Sequence, residues 1–271
     1  MNELKKRIKI IVAYDGSNYC GWQIQPNGVT IEEVLNKTIS ELCGAEIKVI
    51  GASRTDSGVH ARGNVAVFDT CAPIPPKRFL YAINRLLPPD IVVMQSEEVE
   101  ASWHPRFQKS RKTYRYHLDV GVAPNPIKRT THYYVAQTLD LKAMDKAATF
   151  LVGKHDFAGF TKEECQEKNT VREIYQAEFL YTVAGEDFSA DALISSYDEI
   201  IFTIQGNGFL YNMVRMILGL LLEIGKGKYP PEIVGDVLQN PAKIPAKVTA
   251  KAHGLILWEI AYENVLTSKH F

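Results

Sequence analysis

The stretch Gly51-Ala-Ser-Arg-Thr-Asp-Ser-Gly-Val-His-Ala-Arg-Gly63 lies between two strand-like runs, Glu46-Ile-Lys-Val-Ile50 and Asn64-Val-Ala-Val-Phe68. Its three glycines permit backbone turns that other residues resist. We therefore predict a tight loop at the end of a strand, which is where sheets present polar side chains for binding and catalysis. Within this loop, Asp56 is either a catalytic carboxylate or a residue that stabilises its own turn through a side-chain hydrogen bond.

The elements around this loop follow the order β-α-β-β-α-β. A strand is predicted at residues 9–14, and Thr30-Ile-Glu-Glu33 is a capping box for a helix that ends at Gly44. The two strands that flank the loop follow, and then a helix at 77–87 and a strand from Ile91. This order is typical of the ferredoxin-like fold, an antiparallel sheet with two helices on one face.

The second half of the chain repeats this order loosely, with one extra helix. The predicted strands cover residues 113–118, 174–181, 200–205 and 255–262, and the predicted helices cover 141–152, 209–224 and a short segment that ends near 238. We therefore predict an α+β protein of two ferredoxin-like (βαββαβ) halves, residues 1–105 and 106–271, whose antiparallel sheets join around a central cleft.

Composition is that of an ordinary globular protein, with 46% hydrophobic residues among 271. The four cysteines form no CxxC pair, which argues against a structural zinc site and a disulfide framework and favours a reducing cytosol. No signal peptide is recognisable, and the longest apolar run, 216–222, is far shorter than the ~20 residues of a membrane span.

Charge is segregated along the chain although the net charge is zero, from 31 basic and 31 acidic residues. Two basic runs, 102–117 and 243–258, contain no acid, and aromatic residues interleave the first. Such runs are either solvated faces or surfaces that contact phosphates, and the interleaved aromatics favour the second interpretation.

The residues Arg54-Thr-Asp-Ser-Gly-Val-His-Ala61 resemble the signature of the TruA-type tRNA pseudouridine synthases, in which the aspartate is the nucleophile. Further segments resemble the other motifs of that family in the family's order, and together they cover nearly the whole chain. These are Tyr14-Asp-Gly-Ser-Asn-Tyr-Cys-Gly-Trp-Gln23, Arg111-Lys-Thr-Tyr-Arg-Tyr116, Gly206-Asn-Gly-Phe-Leu-Tyr-Asn-Met-Val-Arg-Met216 and Gly254-Leu-Ile-Leu257.

This resemblance implies an isomerase of tRNA that is a homodimer, and the cysteine pattern predicts that it is cytoplasmic. The implied substrates are uridines at positions 38, 39 and 40 of the tRNA anticodon stem-loop, which are flipped into a cleft between the two halves. The reaction breaks the C1′–N1 bond of uridine and joins C1′ to C5 of the same uracil, so we expect no cofactor. The sequence accordingly has no P-loop, dinucleotide fingerprint or metal-ligand spacing.

The resemblance assigns roles to four residues, and the spacing of Arg54 two residues before Asp56 predicts a role for a fifth. Each of the five also has a purely structural interpretation. Asp56 is the nucleophile, and Arg215 pairs with it, although an arginine in this apolar helix could also lie at an exposed edge. Tyr114 stacks on the uracil or packs in the sheet core. Arg54 replaces the flipped base or contacts a phosphate, and Leu255 packs on the uracil or in the core.

The chain departs from the family pattern at four positions, none of which is a candidate site residue. Ser53 stands where glycine is usual, Asn64 replaces glutamine, Trp103 replaces phenylalanine and Lys251 stands where proline is common. These differences bear on which RNA is recognised. His60 and the pair His155-Asp156 have no third ligand at usable spacing, so we predict no metal site.

Three other functions remain open on the sequence alone. The chain could be a non-catalytic module that binds RNA through two ferredoxin-like halves, or a synthase that acts on a different RNA. The presence of Asp56, Tyr114 and Arg215 together argues against the non-catalytic module, because RNA binding alone does not require all three. A nucleoside hydrolase would need metal-binding aspartate clusters or paired carboxylates, and the sequence contains neither.

Overall fold

The computed structural model describes residues 5–162, 167–183, 197–245 and 248–263, which form two units. The first unit comprises residues 1–112 and 257–271, and the second comprises 113–256. The chain thus leaves the first unit after residue 112, somewhat later than the boundary at 105 drawn from the sequence, and returns to it for the last strand.

Strand β1 lies at the centre of the first unit, antiparallel to β3 on one side and to β4 on the other. The hydrogen-bonded order is β4-β1-β3-β10, and β2 also pairs with β3. The elements are β1 (Lys6–Tyr14), α1 (Ile31–Cys43), β2 (Ile50–Gly51), β3 (His60–Thr70), α2 (Phe79–Asn84), β4 (Ile91–Val99) and the greater part of β10 (Leu255–Tyr262).

Helix α1 begins and ends where the sequence predicts. The Thr30 hydroxyl accepts the backbone N–H of Glu33 at 3.3 Å, and Gly44 closes the helix with φ of 64°. Ile31 and Leu35 on its apolar face are fully buried. The helix is therefore held by local capping at both ends and by burial of one face against the unit's core.

Two predicted elements of the first unit are shorter than expected. Residues 46–49 precede β2 without joining it, because the backbone N–H groups of Ile47 and Val49 are bound by the side chains of Ser40 and Asn36, each at 2.8 Å. Side-chain acceptors thus replace the sheet ladder. Helix α2 has six residues rather than the predicted eleven, and a 3₁₀ turn at Pro76–Arg78 precedes it.

The second unit has the hydrogen-bonded order β5-β9-β8-β7, and β6 pairs with β5 in parallel. The short strand β7 is absent from the sequence prediction. The elements are β5 (Ser110–Val120), β6 (Tyr133–Val135), α3 (Leu141–Thr149), β7 (Gly153–Asp156), β8 (Val171–Val183), β9 (Tyr197–Gly206), α4 (Met213–Gly225) and α5 (Ile233–Gln239).

Helix α4 is the core helix of the second unit. Every residue from Met213 to Gly225 except Arg215 is buried, as expected for a helix that is apolar on all sides. The sequence predicts that this helix begins at residue 209, but it begins at Met213. Asn212, just before it, has φ of 58°, a left-handed conformation that cannot continue a right-handed helix.

The α+β class with mainly antiparallel strands is confirmed by this structure, whereas the ferredoxin-like assignment of each half stays a prediction. The buried side chains are mostly aliphatic and aromatic residues of the strands and of α1, α3 and α4. Within the described residues, no helix has both the length and the apolarity required to cross a membrane.

Candidate active site and substrate-binding residues

Asp56 occupies the first position of a tight turn in the first unit. The carbonyl of Asp56 accepts the backbone N–H of Val59 at 3.1 Å, and Gly58 has φ of 76°. A positive φ at the third residue is what a type II turn requires, and glycine adopts it without steric cost. The carboxylate of Asp56 is half-buried at the start of this turn.

The opening segment of the chain holds this turn from one side. The Trp22 backbone N–H donates to the Thr55 carbonyl at 3.1 Å, and the hydroxyls of Tyr14 and Thr55 lie 2.8 Å apart. Gly21 has φ of 83°, and a Cβ at this position would lie 2.6 Å from the Thr55 carbonyl oxygen. Only glycine therefore allows the two segments to approach this closely.

The same opening segment also contacts the end of the turn. The Tyr19 carbonyl accepts the backbone N–H of Gly58 at 3.3 Å, and the Gly16 N–H donates to Nδ1 of His60 at 3.0 Å. A Cβ at Gly16 would lie 2.1 Å from the carbonyl oxygen of Val59. The segment around residues 14–23 is thus a scaffold for the Asp56 turn, and Trp22 within it is fully buried.

Three side chains bind consecutive backbone carbonyls just before the turn. Arg106 donates to Gly51 at 2.8 Å, Lys112 donates to Ala52 at 3.2 Å, and Asn64 donates to the carbonyl of residue 53 at 3.0 Å. Sequence reasoning missed this role for Arg106 and Lys112, which it assigned to a phosphate-contacting run. No local signal reveals these contacts, because 55 and 60 residues separate the partners.

Arg54 and Asp56 lie on the less buried side of the loop. Ser53 and Thr55 are 6% and 7% exposed, whereas Arg54 is exposed and Asp56 is half-buried. This alternation is typical of an extended segment, in which residues two apart face the same way. The loop therefore presents a guanidinium and a carboxylate from a backbone that several hydrogen bonds hold in place.

Tyr114 lies on β5 in the second unit, where it is 7% exposed. The ring of Phe209 meets it edge-on, with ring centroids 5.1 Å apart and an interplanar angle of 85°. Edge-to-face pairs of this kind are favoured by the quadrupoles of the two rings. Phe209 therefore restricts the orientation of the Tyr114 ring, and sequence reasoning did not assign Phe209 this role.

Arg215 projects from α4 and is held by two acceptors. Its Nε donates to the carbonyl of Ala250 at 2.8 Å, and its Nη1 donates to Oδ1 of Asn212 at 2.9 Å. Within the described ranges, Asn212 is the single non-glycine residue with positive φ. Sequence reasoning missed this residue, although asparagine tolerates this conformation and the i,i+3 spacing to Arg215 is a usable signal.

A segment near residues 248–255 connects α4 with β5. Gly219 on α4 is so close to it that a Cβ would lie 2.1 Å from the Val248 carbonyl oxygen. The Tyr116 hydroxyl donates to the carbonyl of Lys251 at 2.7 Å, and burial raises the pKa of this hydroxyl, so it remains a donor. Leu255, 4% exposed, ends the segment.

The five candidate residues thus fall into two groups. Arg54 and Asp56 share one loop of the first unit, whereas Tyr114, Arg215 and Leu255 lie on connected elements of the second. Each group has a supporting set of hydrogen bonds or close backbone contacts that the sequence motifs do not reveal. Preorganised side chains of this kind are what catalytic and binding sites require.

Comparison with known proteins places these motifs in a family. The model of the tRNA pseudouridine synthase family matches residues 10–108 and 147–263. Arg54, Asp56, Arg215 and Leu255 lie within the matched segments, and Tyr114 lies between them.

Three bacterial relatives, each named tRNA pseudouridine synthase A, are similar over nearly their whole length. The relative from an Exiguobacterium species is 40% identical over 96% of this chain and 99% of its own. The one from Myxococcus xanthus is 40% identical over 95% and 92%, and the one from a Thermoanaerobacter species is 41% identical over 95% and 100%. With its motifs, their supporting contacts and this coverage, the chain belongs to the tRNA pseudouridine synthase family.

Proposed function

We propose that this chain converts uridine to pseudouridine in tRNA. The conversion breaks the C1′–N1 bond, turns the uracil and forms the C1′–C5 bond, while C5 loses a proton and N1 gains one. Reactants and products have the same atoms, so no electron or group donor is needed and we expect no cofactor. The observation that carries this proposal is the half-buried Asp56, held on a braced turn in a chain whose relatives are tRNA pseudouridine synthases.

Asp56 is the proposed nucleophile. A carboxylate can attack C1′ or stabilise the cationic sugar as the glycosidic bond breaks. A carboxylate in water is ionised at neutral pH, and the proposed task of the fold is to position the Asp56 side chain. The hydrogen bonds to the backbone of residues 51–53, 55 and 58 are suited to that task, because they fix the loop on both sides of the carboxylate.

The remaining candidates are proposed to bind the substrate. Tyr114 supports the uracil ring by stacking, which contributes ~1–3 kcal/mol per base in comparable complexes. Arg54 fills the space left by the flipped base, and Leu255 provides an apolar contact to the ring. Arg215, whose guanidinium is oriented by Asn212 and Ala250, contributes a fixed positive charge.

Residues outside the five candidates support tRNA as the partner. Phe107 is 82% exposed and its ring stacks on His104, with centroids 4.1 Å apart and an interplanar angle of 18°. Burial and the nearby Arg106 and Arg7 lower the pKa of His104, which favours the uncharged form of the stacked imidazole. This exposed aromatic pair is followed in the sequence by the exposed cations Lys109 and Arg111, a combination that fits a surface for RNA bases and phosphates.

The finer features of the proposal come from the resemblance to the family and, for the cytoplasmic location, from the cysteine pattern. The target uridines are those at positions 38, 39 and 40 of the anticodon stem-loop, the active species is a homodimer, and the reaction takes place in the cytoplasm. Transcripts with a single uridine at each position would identify the targets, and light scattering would give the mass. A mass equal to that of one chain would contradict the dimer.

Tritium release from tRNA labelled at uridine C5 tests the chemistry directly, because forming the C1′–C5 bond expels that hydrogen. We expect Asp56→Asn, which preserves the side-chain shape, to lower the rate by more than about a thousandfold while tRNA binding persists. Glu41→Gln, which removes an exposed carboxylate from α1, is the matched control and should react like the wild type.

Other results of this assay would redirect the proposal. Equal release by wild type and Asp56→Asn would place the nucleophile elsewhere. Binding of tRNA without release by either protein would favour a non-catalytic RNA-binding module or a synthase for a different RNA, and labelled ribosomal RNA would separate these two.

A further inference from the structure

Two strands of the second unit and the residue just before a third bring together side chains with metal-ligating chemistry. His117 lies on β5, and His132 immediately precedes β6, whose parallel register pairs Leu118 with Tyr133. His117 precedes Leu118 and His132 precedes Tyr133, so the two histidines lie at equivalent positions of the two neighbouring segments. Glu199 comes from β9, the neighbour of β5 on its other side. The sequence predicts no metal site, since 82 residues separate His117 from Glu199 and no ligand spacing is recognisable.

The three side chains converge on one point. Oε1 of Glu199 lies 2.6 Å from Nδ1 of His117 and 2.7 Å from Nε2 of His132, and all three ligand atoms are within 4.8 Å of one another. The histidine side chains are 12% and 13% exposed and that of Glu199 is 26% exposed. Within the described residues, this is the one group of three or more such side chains with this convergence.

We propose that His117, His132 and Glu199 bind a divalent transition metal, with Zn²⁺ as the best match. Two imidazole nitrogens and one carboxylate oxygen form a donor set that Zn²⁺ accepts, with bonds of about 2.0–2.2 Å and a water in the fourth position. Tetrahedral geometry with such bonds separates ligand atoms by about 3.3 Å. Each separation between Glu199 and a histidine nitrogen would therefore widen by less than about 1 Å.

The surroundings of His132 fit this role. Its Nδ1 lies 2.9 Å from the hydroxyl of Thr131, whose oxygen can accept a hydrogen bond from Nδ1–H when Nε2 binds a metal. A partner on the second ring nitrogen fixes the tautomer and the orientation of a metal-binding histidine. The metal would join β5, β9 and the chain just before β6. Its proposed role is structural and independent of the isomerase reaction.

A zinc titration of the full-length protein, stripped with a chelator and followed with a competing indicator dye, tests the site. We expect one zinc per chain with micromolar or tighter affinity. Glu199→Gln should weaken zinc binding by at least about tenfold. The glutamine oxygen can still accept hydrogen bonds from both imidazole N–H groups, so the metal-free cluster should keep its structure in this variant. His155→Gln, which changes a partly exposed histidine of the same unit, is the control and should bind as the wild type does.

X-ray absorption of the zinc-loaded wild type decides the ligands without any variant. We expect two imidazole scattering patterns and no sulfur near ~2.3 Å. Sulfur ligation would assign the metal to a cysteine such as Cys20, Cys43 or Cys71, and would overturn the proposal. Failure to bind zinc, or equal binding by Glu199→Gln, would also overturn it and leave the cluster as a hydrogen-bonded one.

Discussion

At the scale of single residues, the Asp56 turn depends on close backbone approach at Gly21. The backbone there has φ of 83°, and a Cβ would lie 2.6 Å from the Thr55 carbonyl oxygen, which the neighbouring Trp22 N–H binds. A side chain at this position would be strained and would also displace the segment that carries Asp56. Folding and the placement of the Asp56 side chain are therefore coupled at one glycine.

Gly21→Ala should lower both the free energy of unfolding and the rate of tritium release. Gly44→Ala is the matched control, because Gly44 also has positive φ, 64°, but nothing lies within 4 Å of a Cβ placed there. We expect about 1–2 kcal/mol of destabilisation for Gly44→Ala, the cost of left-handed backbone, with normal activity. Urea denaturation should show a larger loss of unfolding free energy for Gly21→Ala than for Gly44→Ala. Equal losses in the two variants would argue against a steric clash between residue 21 and the Thr55 carbonyl.

The sequence predicts the candidate residues more completely than it predicts their supports. Asp56 and Arg54 belong to a recognisable local pattern, so the sequence alone is enough to locate their loop. The contacts from Arg106 and Lys112 to this loop have no such pattern, because they join segments far apart in the chain. Local patterns report turn chemistry, whereas the choice among distant partners depends on the packed fold.

At the scale of elements, an ion pair fastens β1 to β3 at its register partners Arg7 and Asp69. Nε of Arg7 lies 2.7 Å from Oδ1 of Asp69, and Nη2 lies 2.9 Å from Oδ2. This two-pronged hydrogen bond from Arg7 lowers the pKa of Asp69 despite the opposing effect of partial burial. The stabilisation is therefore complete above the unfolded pKa near ~3.9 and is lost as the pH falls through the lower folded value.

Asp69→Asn should lower the free energy of unfolding by about 1 kcal/mol at pH 7, and this loss should shrink progressively as the pH is lowered from about 4 toward about 2. Urea denaturation of wild type and variant at neutral pH and across this acidic range measures this difference. Glu46→Gln removes an exposed pair with Lys48, whose side chains are about 80% exposed, and should have little effect at any of these pH values. If Asp69→Asn lowered the free energy of unfolding equally at all of these pH values, the stabilisation would not depend on the ionisation of Asp69.

Element prediction succeeded where local signals agreed and failed where side chains competed with the backbone. The cap residues Thr30 and Gly44 defined α1, since capping is a local interaction. Residues 46–49 have the pattern of a strand, but acceptors on α1 bind their backbone N–H groups instead. The start of α4 was placed too early because apolar periodicity does not reveal the left-handed backbone of Asn212.

At the scale of the whole molecule, a net charge of zero means that tRNA affinity has to come from local patches. Arg106 and Lys112 of the first basic run bind backbone carbonyls of the Asp56 loop. Lys109 in the same run is exposed and is a better candidate for a phosphate contact. The order of predicted elements was enough to predict the fold class. It did not predict which cations of the basic run bind the protein backbone and which are exposed.

Lys109→Ala should weaken tRNA binding and reduce the slope of log affinity against log salt concentration by about 1. Filter binding at several salt concentrations measures both quantities. Lys37→Ala, which removes an exposed lysine from α1, should leave the slope unchanged. If the two variants behave alike, Lys109 contacts no phosphate.

The return of the chain to its first unit has a consequence during synthesis on the ribosome. The residues of β10 that complete the strand order β4-β1-β3-β10 are made only after the whole second unit. At elongation rates of about 5–20 residues per second this delay is on the order of ten seconds. Until then the part of the β3 edge that β2 does not cover lacks its partner strand, and such an edge is prone to pairing with other chains. Newly made protein should therefore be most vulnerable to aggregation just before its last strand emerges.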